Sequence, residues 1–169
     1  MPMRNRRPPR GGHPRPLPRA VIPERYLIPE RALIACEPFG ARLGARAAAR
    51  AIAAGLTAAG LPEPDVCELD GARGEAVGTT LAALGFDARM RRARALILAA
   101  PRLAQDELVG SIVFEIATRA RQAGVPAYAI AAANLLDAFD ARVLDLQVIV
   151  EGSGPRGLTA AAARLAALI

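Results

Sequence analysis

Few of the side chains that carry enzyme chemistry occur in this chain, and their types exclude several mechanisms. All 22 basic residues are arginine, so a Schiff-base lysine and a phosphate-binding lysine are both excluded. The one histidine, His13, lies in a segment without an apolar pattern, so no Ser-His-Asp or Cys-His arrangement is expected in the folded part. Cys36 and Cys67 stand in apolar stretches and are predicted to be buried, inert thiols. Two cysteines and one histidine cannot form a structural zinc site, so no metal centre is predicted.

Two carboxylates follow predicted strands, which is where the ligands of parallel α/β domains bind. Glu37 comes directly after the apolar run Ala32–Cys36, and Asp70 follows Val66–Leu69. Carboxylates in such places can hold Mg²⁺ or orient a substrate hydroxyl. The alternative for each, and the commoner case, is a loop cap or a solvated carboxylate.

A literal G-x-G-x-x-G occurs at Gly152–Gly157, between a predicted strand and a predicted helix. A dinucleotide site needs a following strand with an acid about 20 residues on, and the sequence stops at Ile169, so dinucleotide binding is not expected. The helix N-terminus at Gly152, Ser153 and Gly154 still allows a simple anion site. The alternative is a plain glycine-rich connection.

Short apolar runs alternate with helical patterns along most of the chain. Proline and glycine mark many of the boundaries, as at Gly60 and Gly124. A further short helix is expected with Asp87 as its N-cap. Strands are predicted at 32–36, 66–69, 94–99, 126–131 and 144–150, and helices at 43–59, up to about 84, at 87–92, 106–123, 137–142 and 158–168.

This alternation predicts an α/β fold, a Rossmann-like three-layer domain with a mostly parallel sheet of about five strands. Ligands of such a domain sit past the carboxyl ends of the strands. Those ends are predicted at Glu37–Gly40, Asp70–Gly74, Ala99–Arg102, Ala131–Asn134 and Glu151–Gly154.

The positive charge is concentrated at the N-terminus. Residues 1–26 hold seven arginines and one acid, a balance of +6 (7 − 1), whereas residues 27–169 hold fifteen of each. Residues 1–30 are therefore predicted to be a disordered Arg/Pro-rich arm, and residues 31–169 the folded domain. The arm could bind nucleic acid or an acidic surface. The alternatives are an extension without function or translation from an upstream start codon.

Apolar runs in the chain are short. None reaches the roughly 18 residues that span a bilayer, and the N-terminus lacks the apolar region of a secretory signal. No membrane association and a cytoplasmic location are predicted.

Three stretches together resemble the bacterial glycerate kinase family. ALIACEPFGARLGARAAARAIAAGLTAAGL (Ala32–Leu61) is similar to the family's opening strand and helix, and VCELDGARGEA (Val66–Ala76) to its P-x-A-D-G-G-E-G-T motif. Between Leu84 and Ile169, the segments LGFDARMRRARALI, ATRARQAGVPAYAI and LLDAFDARVLDLQVIVE resemble the C-terminal part of its Rossmann-like lobe. The match covers nearly all of residues 31–169.

Most polar residues of the family's motifs are replaced here. Its D-S-F-K-G-S becomes Glu37–Arg42, without the hydroxyl and the lysine. The acid pair and final lysine of its G-E-G-R-L-D-x-Q-T-L-x-G-K are also absent. The resemblance leaves the catalytic residues unassigned and implies five candidate substrate-binding residues: Glu37, Asp70, Gly71, Arg102 and Gly110.

The resemblance implies a shortened protein that lacks many of the family's catalytic groups. Family members are more than twice as long, and their second lobe would be expected between about Ala76 and Leu84. The family phosphorylates glycerate with ATP in the cleft between two lobes, and such catalysis rests on cations around the transferring group. We therefore expect a glycerate-kinase-like protein that is inactive or only binds a small anion or hydroxy acid. ATP and Mg²⁺ are expected only if the family's activity is retained.

The alternative function is a non-enzymatic interaction module. In that interpretation the domain is a passive scaffold, expected as a homodimer. Its basic arm then binds nucleic acid or acidic partners.

Overall fold

The computed structural model describes residues 30–69 and 73–169, and for residues 107 and 108 the backbone alone. The predicted disordered arm, apart from Glu30, lies outside the described residues. No helix of the described part is long and apolar enough to cross a membrane. The described elements follow one another as β1 (Ala32–Cys36), α1 (Ala45–Ala58), β2 (Asp65–Glu68), α2 (Ala76–Ala83), α3 (Phe86–Met90), β3 (Ala95–Leu103), α4 (Gln105–Leu108), α5 (Ile112–Ala123), β4 (Ala127–Asn134), α6 (Ala138–Val143), β5 (Leu146–Glu151) and α7 (Gly154–Ala166).

The strands form one parallel sheet in the order β2-β1-β3-β4-β5. The predicted α/β fold with a parallel sheet is confirmed. All five residues of β1 are buried, because a central parallel strand is covered on both faces, and this explains its unbroken apolar sequence. The strand order reverses between β1 and β3. That reversal is the topological switch point, where ligands bind in sheets of this kind.

Helices cover both faces of the sheet. On one face, α1 and α7 pack over Ile34, Ile97 and Ile130. On the other face, α2, α3 and α5 pack over alternate strand residues such as Leu33 and Leu98. Successive strand residues point to opposite faces, so each strand contributes to both cores.

The α1–α7 contact depends on small residues. A Cβ on Gly55 would lie 2.2 Å from the carbonyl oxygen of Thr159 and 2.8 Å from Ala162 Cβ. The Thr159 hydroxyl also donates to the carbonyl oxygen of Ala51 at 2.9 Å. The alanine-rich composition therefore lets the two helix backbones lie unusually close.

The single helix predicted over 106–123 is wrong. The chain forms α4 and α5 instead, because Gly110 adopts a left-handed φ of 72° and Ser111 is extended. The Ser111 hydroxyl accepts the backbone N–H of Phe114 at 3.1 Å, which caps α5. The apolar spacing continues across the break, and this hides it from a periodicity argument.

The prediction that Asp87 is the N-cap of the short helix α3 is wrong. Gly85, with a φ of 59°, precedes the helix and Asp87 lies in its first turn. The Asp87 carboxylate instead accepts Arg119 Nη1 at 3.0 Å. The Asp87 carboxylate is therefore paired with a residue of α5 and does not cap its own helix.

β3 and β4 are longer than the predicted strands 94–99 and 126–131. β3 continues through Pro101 and Arg102, a stretch predicted as a loop. β1 ends opposite Ala99, so beyond that residue β3 pairs with β4 alone, as between Arg102 and Ala133. A proline, which lacks a backbone N–H, is tolerated on such an edge.

Two boundaries near the C-terminus also differ from prediction. β5 begins at Leu146 rather than Leu144, because Asp145 turns the chain with a φ of 54°. α7 begins at Gly154 rather than Leu158. The second and third glycines of the G-x-G-x-x-G therefore belong to the first turns of a helix.

Candidate functional site

A recess lies at the switch point, beyond the carboxyl ends of β1 and β3. Its charged and hydroxyl-bearing residues are Glu37, Arg73, Arg102 and Ser111. Its volume is about 20 Å³, enough for a group the size of one water molecule. We call it the switch-point recess. Its wall is completed by Leu103, Ala104 and Val113.

The sheet positions Glu37 and Arg102 in this recess. The backbone N–H of Glu37 donates to the carbonyl oxygen of Ala99 at 2.8 Å, which ties the start of the loop after β1 to β3. Arg102 lies at the recess because β3 extends beyond Ala99 as far as Leu103. Both side chains are partly buried.

A backbone clamp holds the other two polar residues in place. Arg73 and Ser111 form an antiparallel bridge, and the N–H of Gly74 donates to the carbonyl oxygen of Gly110 at 3.0 Å. The clamp joins the segment after β2 to the start of α5. Only a residue tolerant of positive φ fits position 110, and glycine supplies that freedom.

Among the described residues, two guanidinium groups and one carboxylate contribute charge to the recess. Arg102 Nη1 lies 3.5 Å from the Asp106 carboxylate, a long contact to a side chain that is largely exposed. Arg73 is exposed and makes no side-chain hydrogen bond or ion pair with any described residue. Cations of this type recognise carboxylates and phosphates.

The cysteines take no part in this chemistry. Cys36 and Cys67 are buried on opposite faces of the sheet, as predicted for inert thiols, and both are free. Burial raises the pKa of the Cys36 thiol to about 12, with smaller contributions from Glu37 and Glu68. Burial also raises the pKa of the Cys67 thiol.

A second, larger cavity adjoins the switch-point recess between α2 and the start of α5. Its volume is about 280 Å³. Ser111 lines both spaces. We call it the α2–α5 cavity; its other lining residues are Gly74, Val77, Gly78, Gly110, Phe114 and Glu115.

The residues predicted from sequence are distributed over these two spaces. Glu37 and Arg102 line the switch-point recess, and Gly110 lines the α2–α5 cavity. Asp70 and Gly71 lie outside the described residues. Their roles, like those of the other three, stay predictions.

Sequence reasoning missed Arg73 and Ser111. Arg73 lies in the strand-end segment Asp70–Gly74, of which only Asp70 and Gly71 are predicted to bind a ligand. Ser111 follows Gly110, a glycine–serine pair typical of a helix start, but the apolar spacing favoured one continuous helix there.

The anion site predicted at Gly152, Ser153 and Gly154 has a packing explanation at its first residue. A Cβ on Gly152 would lie 2.6 Å from the carbonyl oxygen of Gly157 and 2.8 Å from Ala161 Cβ. Glycine is therefore needed where β5 and α7 approach each other. Anion binding at this helix start stays a prediction.

The residues present do not fit a Mg²⁺–nucleotide complex. Among the described residues, Glu37 is the one carboxylate lining the switch-point recess, and the α2–α5 cavity adds only Glu115. Glu115 accepts Arg119 Nε at 2.8 Å. Within the described ranges no group of three or more His, Cys, Asp or Glu could hold a metal ion. No role in a reaction with ATP or Mg²⁺ is therefore assigned to these residues.

Similarity to known proteins is confined to solved structures. No protein-family model and no curated protein matches the chain. Among solved structures it is similar to a protein provisionally assigned as glycerate kinase 2 from Salmonella typhimurium LT2, with a TM-score of 0.41 and 15% sequence identity. The likeness covers 62% of this chain and spans 27% of the length of that one.

Proposed function

We propose that this domain binds a small hydroxy-acid anion in the switch-point recess and does not transfer a phosphoryl group. The observation that carries the proposal is that Arg73, Arg102 and the Glu37 carboxylate line one recess. A simple dianion would be attracted by the arginines but repelled by Glu37. A hydroxy acid satisfies both, because its carboxylate pairs with the guanidinium groups and its hydroxyl donates to Glu37.

The size of the recess supports a small ligand. About 20 Å³ admits a single oxygen-sized group, so one end of the ligand is anchored there and the rest lies outside. Small-molecule sites that enclose a larger ligand have volumes of about 300–1,000 Å³. The adjoining 280 Å³ lies at the lower end of that range, which favours a small acid over a nucleoside triphosphate.

Phosphoryl transfer requires more cationic groups than this site offers. Kinases surround the transferring group with metal ions and a lysine. This chain has no lysine. Loss of one stabilising group typically costs a factor of about 10² to 10³ in rate, and several of the family's groups are replaced here.

Isothermal titration and thermal unfolding of the full chain with D-glycerate test the proposal. Ligand at ten times the dissociation constant should stabilise the fold by about 1.4 kcal/mol, which raises the Tm by about 4 °C. Propionate, which lacks the hydroxyls, should bind more weakly. Arg73→Gln and Arg102→Gln should each weaken D-glycerate binding about tenfold.

Arg50→Gln is the matched control, because Arg50 is exposed on α1 and is not among the residues that line either space. It should leave the affinity unchanged. Equal loss of affinity in all three variants would indicate only a general charge effect. Absence of any shift with millimolar hydroxy acids would refute the binding role. Turnover of D-glycerate with ATP and Mg²⁺ at about 1–100 s⁻¹ would show that the protein is a kinase and contradict the proposal.

A further inference from the structure

The α2–α5 cavity is more apolar in character than the switch-point recess. Val77 is buried in its wall and Phe114 is partly buried beside it. No arginine is among its lining residues, whereas two line the recess. The two spaces share Ser111 as a lining residue, so the cationic recess and the more apolar cavity adjoin each other there.

Three glycines leave the cavity wall bare. A Cβ on Gly74, Gly78 or Gly110 would meet no atom within 4 Å. Gly74 and Gly110 have positive φ and serve the backbone clamp. Gly78 has no such reason, since it lies inside α2 with ordinary helical backbone, where glycine costs stability relative to alanine. Its effect is to keep open space between α2 and α5.

Among the described residues, the one charged group that lines the cavity, Glu115, is negative. The Glu115 carboxylate is fixed by Arg119, whose Nη1 also donates to Asp87 at 3.0 Å. This arrangement disfavours a second anionic group inside the cavity. The part of a ligand that enters it is therefore uncharged.

We infer that the α2–α5 cavity receives an apolar tail, so that the ligand is a 2-hydroxy acid with an aromatic or medium-length aliphatic side chain rather than glycerate itself. This inference rests on the proposed hydroxy-acid site in the switch-point recess. The carboxylate lies at Arg73 and Arg102, the hydroxyl at Glu37, and the tail passes Ser111 toward Phe114. An apolar cavity of about 150 Å³ accommodates benzene, and 280 Å³ accommodates a ring with its linking carbon.

A comparison of acids that differ only in the tail tests the inference on the wild-type full chain. The probes are D-glycerate, 2-hydroxybutyrate, 2-hydroxyhexanoate and 3-phenyllactate, titrated calorimetrically. Affinity should rise along the series, and 3-phenyllactate should bind at least tenfold more tightly than D-glycerate, because partial burial of a ring contributes that much.

Gly78→Leu provides an independent arm, since its side chain would fill the cavity. It should abolish the preference for 3-phenyllactate and leave D-glycerate affinity within twofold of wild type. Gly78→Ala is the matched control, because it changes the same backbone position and should retain at least part of the preference. Circular dichroism of both variants reports whether α2 is intact.

The outcomes separate the two proposals. Binding of all four acids with equal affinity in the wild type overturns the tail inference and leaves the hydroxy-acid site standing. Unchanged preference in a folded Gly78→Leu variant overturns it too. No binding of any acid overturns the proposed function itself. Because the wild-type series needs no variant, a Gly78→Leu chain that fails to fold does not affect that test.

Discussion

At the scale of single residues, Cys36 carries a thiol whose protonation is strongly altered by its burial on β1. Burial raises the pKa of its thiol to about 12. The thiolate is the reactive form, so the folded protein should not react with Ellman's reagent within minutes at pH 8. Both cysteines should react once urea unfolds the chain. Rapid reaction of one thiol without denaturant would contradict the buried position of Cys36 on β1.

Arg89 is the second residue whose role can be isolated. Its guanidinium donates to both Asp65 carboxylate oxygens, at 2.8 and 2.5 Å, and to the carbonyl oxygen of Val66 at 2.5 Å. These contacts fix α3 to the outer edge of β2. Such pairing also keeps the exposed edge of a sheet from associating with other chains.

The Asp65–Arg89 pair should make stability depend on pH in the acidic range. The hydrogen bond from Arg89 lowers the pKa of Asp65 below its usual value. The stabilisation is therefore complete above the unfolded value near 3.9 and is lost as the pH falls through the lower folded value. Arg89→Gln should cost about 1 kcal/mol at pH 7 and flatten the pH dependence of urea unfolding below pH 4.

Arg92→Gln is the control for that measurement, because Arg92 is exposed and lies three residues away. It should retain the wild-type pH profile. An unchanged profile in Arg89→Gln would instead assign the acid-dependent stability to other carboxylates.

At the scale of elements, two glycines in helices should respond to alanine in opposite directions. Gly55 lies against Thr159 and Ala162 of α7, at distances that a Cβ cannot accommodate. Gly55→Ala should destabilise the fold by about 1–3 kcal/mol, although alanine favours the helix by up to about 1 kcal/mol. Gly78→Ala faces open space and should stabilise it by about 0.5–1 kcal/mol.

Urea unfolding of both variants measures the contrast. The two changes add the same single methyl group to helices, so a difference in sign isolates the α1–α7 contact from helix propensity. A stabilising Gly55→Ala would mean that α1 and α7 can separate without cost.

The elements also mark where sequence reasoning succeeds. Period and run length sufficed for β1 because its sequence is apolar throughout and its neighbours cover both faces. They failed for the extended end of β3, where Pro101 favours a loop locally. What keeps that segment extended is pairing with β4, between residues such as Arg102 and Ala133 that are distant in sequence. Local propensity contains no information about such a partner.

At the scale of the whole molecule, the sheet order decides which residues meet. Alternation of strands and helices predicts a parallel sheet but leaves the order of its strands open. Glu37 and Arg102 were each predictable as strand-end residues. Glu37 and Arg102 lie close to each other because β1 pairs with β3. Arg73 joins them only through its bridge to Ser111, a contact that no local pattern announces.

The net charge of the molecule is distributed unevenly along the chain. Residues 27–169 are balanced, so the formal charge of +6 belongs to residues 1–26. If the N-terminal arginines contact phosphates, the logarithm of affinity for duplex DNA should fall with the logarithm of salt concentration at a slope of up to about −6. Fluorescence anisotropy over 50–200 mM salt measures it. The full chain should lose both affinity and slope when seven arginines are changed to glutamine: Arg4, Arg6, Arg7, Arg10, Arg15, Arg19 and Arg25.

The control for that experiment must remove charge from the folded domain instead. The pair Arg50→Gln and Arg92→Gln does so at two exposed positions and should lower the slope little, because these arginines are offset by acids of the same domain. DNA binding that survives the seven N-terminal changes would place the contact surface within residues 27–169. Absence of binding by the wild-type chain at 50 mM salt would remove nucleic acid from its partners and leave the hydroxy-acid site as the one proposed interaction.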